Sequence, residues 1–107
     1  GNNILHYAVN NNNPKLFNYL IEIINNVDII NMNNVLNMNV LHNIYFKHPN
    51  ENRFNYNLKY LIKYSNLNNI DIYSNTIWYY LIKFNDWLLY IDILKHKKNN
   101  IFIIDNL

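Results

Sequence analysis

Two histidines stand at matching positions and are the residues best suited to hold a metal. His6 and His42 each end a Leu-His pair, and 36 residues separate them. A pair of stacked imidazoles could ligate a zinc ion, but zinc sites generally use three or four converging ligands. The chain has no Cys, and no carboxylate stands at a matching position. The sequence therefore predicts no metal site and no cofactor.

The acidic residues do not form a pattern that general acid-base chemistry requires. None of them makes a close pair or belongs to a motif with catalytic spacing. The only Gly is the first residue, which excludes a glycine-rich phosphate loop. We therefore predict that the chain is not an enzyme. The acids are Glu22, Asp28, Glu51, Asp71, Asp86, Asp92 and Asp105.

Charge and aromatic content argue against nucleic acid as a partner. The formal net charge is only +2, whereas attraction to phosphates normally needs a dense basic patch. The one dense cluster, residues 95–98, falls at the expected end of a helix, where cations oppose the negative end of the helix dipole. Aromatic residues make up 16% of the chain, but most of them fall at helical spacing near Leu and Ile, which predicts burial rather than base stacking.

The same composition bounds the setting of the protein. Half of the residues are apolar, which is enough for one packed core. No apolar run reaches the roughly 20 residues of a spanning helix, so we predict no membrane insertion. The absence of Cys excludes a disulfide framework and favours an intracellular, cytoplasmic location.

A short phrase recurs three times and indicates the elements that position these residues. Its copies begin at Gly1, Asn37 and Ser74, so they are 36 and 37 residues apart. A fixed period in this range is typical of a solenoid, in which each unit is too small to bury its apolar face and stacks on a neighbour. We predict one domain over residues 1–107, a fragment of a longer array. Its repeats are 1–33, 34–70 and 71–104, with a further repeat starting at 105–107.

Each repeat is predicted to contain two helices. Asn13 is suited to cap the second helix of the first repeat, and Pro14 is tolerated in its first turn. The predicted helices are 4–10 and 15–24, 40–46 and 56–64, and 77–84 and 87–96. The inward residues of the second helices are Leu16, Leu20 and Ile24 with Phe17 and Ile21 beside them, then Leu58, Leu61 and Ile62, then Leu89, Ile93 and Leu94.

The segments between helix pairs are rich in Asn and β-branched residues. We predict loose hairpin loops there, because a lone strand cannot satisfy its backbone groups. Asn makes up about a quarter of the chain, which we interpret as compositional drift more than function. It readily adopts positive φ, however, and so can close turns in place of Gly. These segments are 25–38, 66–75 and 97–107, including the apolar stretches 27–30 and 101–104.

The phrase and the helix pairs resemble the ankyrin repeat. That family opens a helix-turn-helix of about 33 residues with Gly-x-Thr-Pro-Leu-His-x-Ala, and a hairpin loop joins successive units. The matching residues are Gly1, Leu5, His6 and Ala8, then Leu41 and His42, then Thr76, and the pairs Leu20-Ile21, Leu61-Ile62 and Ile93-Leu94 stand where the family has paired leucines. The resemblance implies an all-α solenoid of three helix-turn-helix repeats joined by hairpin loops.

The departures from the family pattern are specific. No unit has the Pro of the phrase, and Asn3 and Asn39 replace Thr, although Asn can cap a helix as Thr does. Trp78 and Tyr79 replace Leu-His in the third unit. The resemblance implies structural roles for His6, His42 and Thr76, with His bonded to backbone groups around the hairpin. Tyr79 puts that bonding in doubt for the last two hairpins.

The resemblance also implies that another protein binds the concave face, which hairpin tips and first helices form. Several residues there are apolar, so they are either interface anchors or packed between neighbouring hairpins. Both alternatives stay open. The mapped residues are Asn2, Asn10, Asn11, Val35, Leu36, Met38, Phe46, Lys47, Ile72, Tyr73, Asn75, Lys83 and Phe84.

A second nonstandard element is the insertion at residues 47–53, between the helices of the second repeat. Such a loop lies away from the concave face in ankyrin-like units, so we predict a tolerated surface loop. On that basis His48→Ala should be nearly neutral.

The sequence thus predicts a non-catalytic protein-protein interaction module. One alternative is a recruitment or spacer domain within a larger multidomain enzyme or ubiquitin-ligase adaptor. Another is a structural domain whose concave face packs against its own chain, which would leave the isolated domain prone to aggregation. The partner's identity and the oligomeric state stay open.

Overall fold

The described part of the protein is all-helical, as predicted. The computed structural model describes residues 2–86 together with 91, 94 and 95. Within those residues no strand is present. The elements in chain order are α1 (Ile4–Asn10), α2 (Pro14–Ile24), α3 (Val27–Ile30), α4 (Val40–Lys47), a 3-10 helix (Glu51–Asn55), α5 (Leu58–Tyr64) and α6 (Ile77–Lys83).

The predicted helix bounds agree closely with these elements. Residues 4–10 are confirmed at both ends, and α5 begins two residues later than predicted because Asn57 caps it. Other predictions fall mainly outside the described residues. These are the helix at 87–96 with Leu89 and Ile93, the charge cluster at 95–98, the hairpin at 97–107 and the repeat start at 105–107.

Asparagine begins almost every described helix. Its side-chain oxygen accepts a hydrogen bond from a backbone N–H of the first helical turn, which would otherwise be unpaired. Asn13 does this for α2, as predicted, by accepting from the N–H of Leu16. Thr76 precedes α6, but its side chain makes no capping hydrogen bond. The capping residues are Asn3, Asn13, Asn26, Asn39, Asn50 and Asn57.

Asparagine also takes the positive φ that its turns were predicted to need. Asn25 ends α2 in the left-handed region with φ of 39°. Asn37 has φ of 55°, and Asn12 and Asn85 lie in the same region. In the described chain, Asn therefore supplies the left-handed backbone conformation that Gly usually supplies at helix ends and in hairpin turns.

Successive units pack through a shared core. The first helices of the three units lie side by side, since α4 contacts both α1 and α6. Helix α5 contacts α3 and α4. Leu58, Leu61 and Ile62 face inward from α5, as predicted.

The predicted inward face of α2 was partly wrong. Phe17 and Ile21 are fully buried, whereas Leu16 is exposed and Leu20 and Ile24 are only partly buried. The α2 face that packs inward is therefore centred one position later than the predicted stripe.

The prediction of an open hairpin was wrong for Val27–Ile30, which forms the one-turn helix α3. Asn26 accepts hydrogen bonds from the N–H groups of Asp28 and Ile29. The helical turn buries Ile30 and brings α3 against α5. A helical turn pairs its backbone groups locally, which a lone extended segment could not do.

Asparagine amides also tie the first unit to the second. The Asn31 side chain donates to the carbonyl of Tyr64 at 2.9 Å and accepts from the N–H of Asn66 at 2.6 Å. Asn18 makes the same two kinds of bond to the backbone on either side of Tyr56. These ties use both ends of the amide, so each bridges a carbonyl and an N–H of the neighbouring unit.

Candidate functional site

Two tight turns of the same construction, which we call the tips, stand shortly before α4 and α6. In the first, residues 34–38, the N–H of Asn34 donates to the carbonyl of Met38 at 3.0 Å. In the second, residues 71–75, the N–H of Asp71 donates to the carbonyl of Asn75, also at 3.0 Å. The two turns lie 37 positions apart in the sequence, so the sequence period is repeated in local geometry.

Each turn is fixed by the side chain of its first residue. Asn34 accepts from the N–H groups of Leu36 and Met38, and Asp71 accepts from those of the equivalent positions two and four residues on. Both turns then use a residue with positive φ, Asn37 at 55° and Ser74 at 66°. Side-chain bonding of this kind holds the tip rigid without a strand.

The two histidines support these turns from the preceding unit. His6 Nε2 donates to the carbonyl of Met38 at 3.0 Å, and His42 Nε2 donates to that of Asn75 at 3.3 Å. His6 Nδ1 accepts from the N–H of Asn3, which assigns the proton to Nε2. Burial lowers the pKa of both histidines, which favours the neutral imidazole. They are positioned as backbone-binding residues, and within the described chain no three potential ligands converge on a metal site.

The third unit departs from this arrangement at the position where the sequence does. Tyr79, which replaces His, is exposed. Its neighbour Tyr80 is buried and donates its hydroxyl to the Asp71 carboxylate. Burial raises the pKa of Tyr80 above its usual value, and the bond to Asp71 raises it further. The hairpin that Tyr79 would have supported lies outside the described residues.

Four apolar side chains stand exposed at the turns and beside them, and we call this group the tip surface: Val35, Phe46, Ile72 and Tyr73. Phe46, at the end of α4, stacks on Tyr73 with ring centroids 5.8 Å apart. The N–H of Ile72 donates to the carbonyl of Leu36 at 3.0 Å, which joins the two turns. Val35 is 80% exposed, so the first tip is apolar and open to solvent. The ring stack and the backbone bond therefore connect the tip-surface residues of two units.

Most residues predicted for the concave face are accessible, but one is not. Met38 is fully buried, so its prediction as a contact residue was wrong: its carbonyl accepts from His6 and its side chain lies inside the fold. Leu36, Asn75 and Phe84 are partly buried. The exposed ones are Asn2, Asn10, Asn11, Val35, Phe46, Lys47, Ile72, Tyr73 and Lys83.

Two exposed cations stand at the ends of the helices that follow the tips. Lys47 is exposed at the end of α4, directly after Phe46, and Lys83 is exposed at the position of α6 that is equivalent to Phe46. The Lys83 ammonium lies 5.7 Å from the ring centroid of Tyr79. The exposed acids of the described chain stand on other elements, on α2, α3 and the 3-10 helix: Glu22, Asp28 and Glu51.

The insertion at 47–53 is not the tolerated surface loop that was predicted. Arg53 is buried and binds both carboxylate oxygens of Asp86 at 2.9 and 2.6 Å. His48 is also buried; its Nε2 donates to the carbonyl of Val9 at 2.9 Å, and its ring stacks on Tyr56. The insertion thus connects the first unit to the residues that follow α6. No local spacing rule pointed to this, because the bonded residues are far apart in sequence.

No helix of the described chain is long and apolar enough to cross a membrane. Comparison of the chain with protein-family models, with curated proteins and with solved structures finds no match.

Proposed function

We propose that the chain is an ankyrin-like helical-repeat domain that binds another protein through the tip surface and carries out no chemistry itself. The observation that carries this proposal is the exposed apolar strip made by Val35, Phe46, Ile72 and Tyr73, in which Phe46 of the second unit stacks on Tyr73 of the third. Exposed aromatic and aliphatic side chains that adjoin one another are typical anchors of protein interfaces.

The construction of the turns supports a binding role. Side-chain hydrogen bonds to Asn34 and Asp71 fix the backbone of the two tips. His6 and His42 each donate a further hydrogen bond to the carbonyl of the last residue of a tip. A surface that is rigid before binding loses little conformational entropy when a partner docks, so more of the contact energy appears as affinity.

The charges support an acidic partner segment. Lys47 adjoins Phe46 of the strip, Lys83 stands at the equivalent position of the next unit, and the exposed acids of the described residues stand on other elements. Complementary charge at the rim speeds association and favours partners of opposite sign. The proposed ligand is a protein segment with an aliphatic or aromatic anchor between carboxylates.

The test compares capture of proteins by three variants of equal helicity. Phe46→Ser/Tyr73→Ser removes the stacked pair. Val27→Ser/Met32→Ser removes two apolar side chains elsewhere that are also exposed and serves as the matched control. A partner that is lost with the first variant and kept with the second supports the proposal.

A third variant tests the charge. Lys47→Glu/Lys83→Glu should weaken capture of the same partner, and higher ionic strength should weaken binding to the unmodified chain. Identical proteins on every variant, or none on any, would contradict the proposal and favour the spacer role or packing against the chain's own residues.

A further inference from the structure

The first unit exposes apolar residues whose counterparts in later units are buried. Aligned on the recurring phrase, Ile4 corresponds to Val40, and Tyr7 to Asn43. Ile4 and Tyr7 are 51% and 57% exposed, whereas Val40 and Asn43 are 0% and 1% exposed. The third unit follows the second, because its equivalent residues Ile77 and Tyr80 are also buried.

The second helix of the first unit shows the same contrast. Aligned on the Leu20-Ile21 and Leu61-Ile62 pairs, Tyr19 and Ile23 correspond to Tyr60 and Tyr64. Tyr19 and Ile23 are exposed, but Tyr60 and Tyr64 are partly buried against the core. One side of α1 and α2 is therefore apolar and open where the same side of α4 and α5 is covered. We call Ile4, Tyr7, Tyr19 and Ile23 the leading face.

The first unit itself is what covers these positions in the second. Helix α1 packs on α4, and the Asn43 amide donates to the Asn10 side chain at 3.1 Å. The Tyr60 hydroxyl donates to the Asn25 side chain at 2.7 Å. The face of the second unit is thus covered by the helix pair α1 and α2. An asparagine at the end of each covering helix makes the polar contact, Asn10 for α1 and Asn25 for α2.

We propose that the leading face docks a further helix pair of the same repeat type, covalently linked and stacked on α1 and α2 as these are stacked on α4 and α5. Units that end a helical-repeat array present polar outer faces to water. The leading face does the opposite, since it presents two Tyr and two Ile side chains. Its occupant therefore has the chemistry of the first unit: an apolar helix pair with asparagine amides at its rim. This inference is independent of binding at the tip surface.

The test adds such a unit to the intact chain. A copy of residues 1–36 is fused before residue 1, which preserves the repeat spacing. Stacking should raise the urea midpoint and the melting temperature of the original domain, with a melting temperature gain of several degrees, because each unit in such an array is stabilised by its neighbour. Tyr7 and Tyr19 of the original copy should also become protected from solvent.

The control variant carries Ile4→Lys and Tyr7→Glu in the original copy only. These changes should cancel the gain in the extended chain, yet leave the melting temperature of the unextended chain nearly unchanged, since both residues are exposed there. An extension that stays unfolded with no gain would overturn the inference. Sedimentation of the unextended chain as a dimer that the same two changes abolish would also overturn it, by showing that a second copy occupies the face.

Discussion

Replacement of Arg53 by Met tests whether the 3-10 helix ties the second unit to the residues after α6. The guanidinium donates two hydrogen bonds to Asp86 and two more to the carbonyls of Pro49 and Asn50. The side chains of both ions are nearly inaccessible, at 7% for Arg53 and 3% for Asp86. The substitution keeps much of the apolar volume but leaves a buried carboxylate without its partner.

The expected loss follows from that burial. Removing one member of a buried ion pair typically costs about 3–5 kcal/mol, whereas an exposed pair contributes only about 0–1 kcal/mol. A natural domain unfolds with a free energy of about 5–15 kcal/mol. Arg53→Met should therefore remove a large share of the stability and lower the melting temperature by roughly 12 °C or more.

Urea unfolding followed by far-ultraviolet circular dichroism measures the change. Glu51→Gln, on the exposed side of the same helix, is the control and should shift the free energy of unfolding by less than about 0.5 kcal/mol. Arg53→Met/Asp86→Leu should recover most of the loss, because no charge is then left buried. The reasoning is refuted if Arg53→Met behaves like Glu51→Gln, or if the double variant is less stable than the single one.

Three further predictions concern the histidines. His42→Ala should destabilise by about 1–3 kcal/mol in urea unfolding, because it removes a buried side chain and its hydrogen bond to the carbonyl of Asn75, which keeps only the N–H of Asp71 as donor; a change within error would count against the proposed support of the second tip. His48→Ala should now cost a similar amount, about 1–3 kcal/mol, since its bond to Val9 is buried; a neutral result would restore the surface-loop prediction. Burial lowers the pKa of His6 and His42 below the value of 6.5 found in unfolded chains, so their contribution is complete above that pH and is lost as the pH falls below it. The free energy of unfolding, measured from about pH 7 to about pH 5, should decline less in His42→Gln than in the unmodified chain, and equal slopes would exclude that histidine as a cause.

The helices could be predicted because their signals are local. Asn13 followed by Pro14 marks a helix start, and the recurring phrase sets where α1, α4 and α6 begin. The inward face of α2 was harder, because apolar residues cover more than one side of that helix. With Leu16 and Phe17 both apolar, spacing alone does not decide which of them faces the core.

The long-range contacts could not be predicted, since no local spacing connects their partners. Arg53 and Asp86 are 33 positions apart, and only the stacking of units brings them together. Met38 was misassigned for a related reason. Met38 lies close in sequence to the exposed tip residue Val35, but its side chain is buried and its carbonyl accepts a hydrogen bond from His6.

The asparagine contacts imply that the fold would respond unevenly to exchange of an amide for a carboxylate. Aspartate caps a helix as well as asparagine does, so Asn13 at the start of α2 could become acidic with little consequence. Asn31 is different, because its NH2 group donates to the carbonyl of Tyr64, and a carboxylate there would place two acceptors against each other. Exchange of Asn31 for Asp would therefore weaken the contact between the first two units, whereas the same exchange at a helix cap would leave that helix intact.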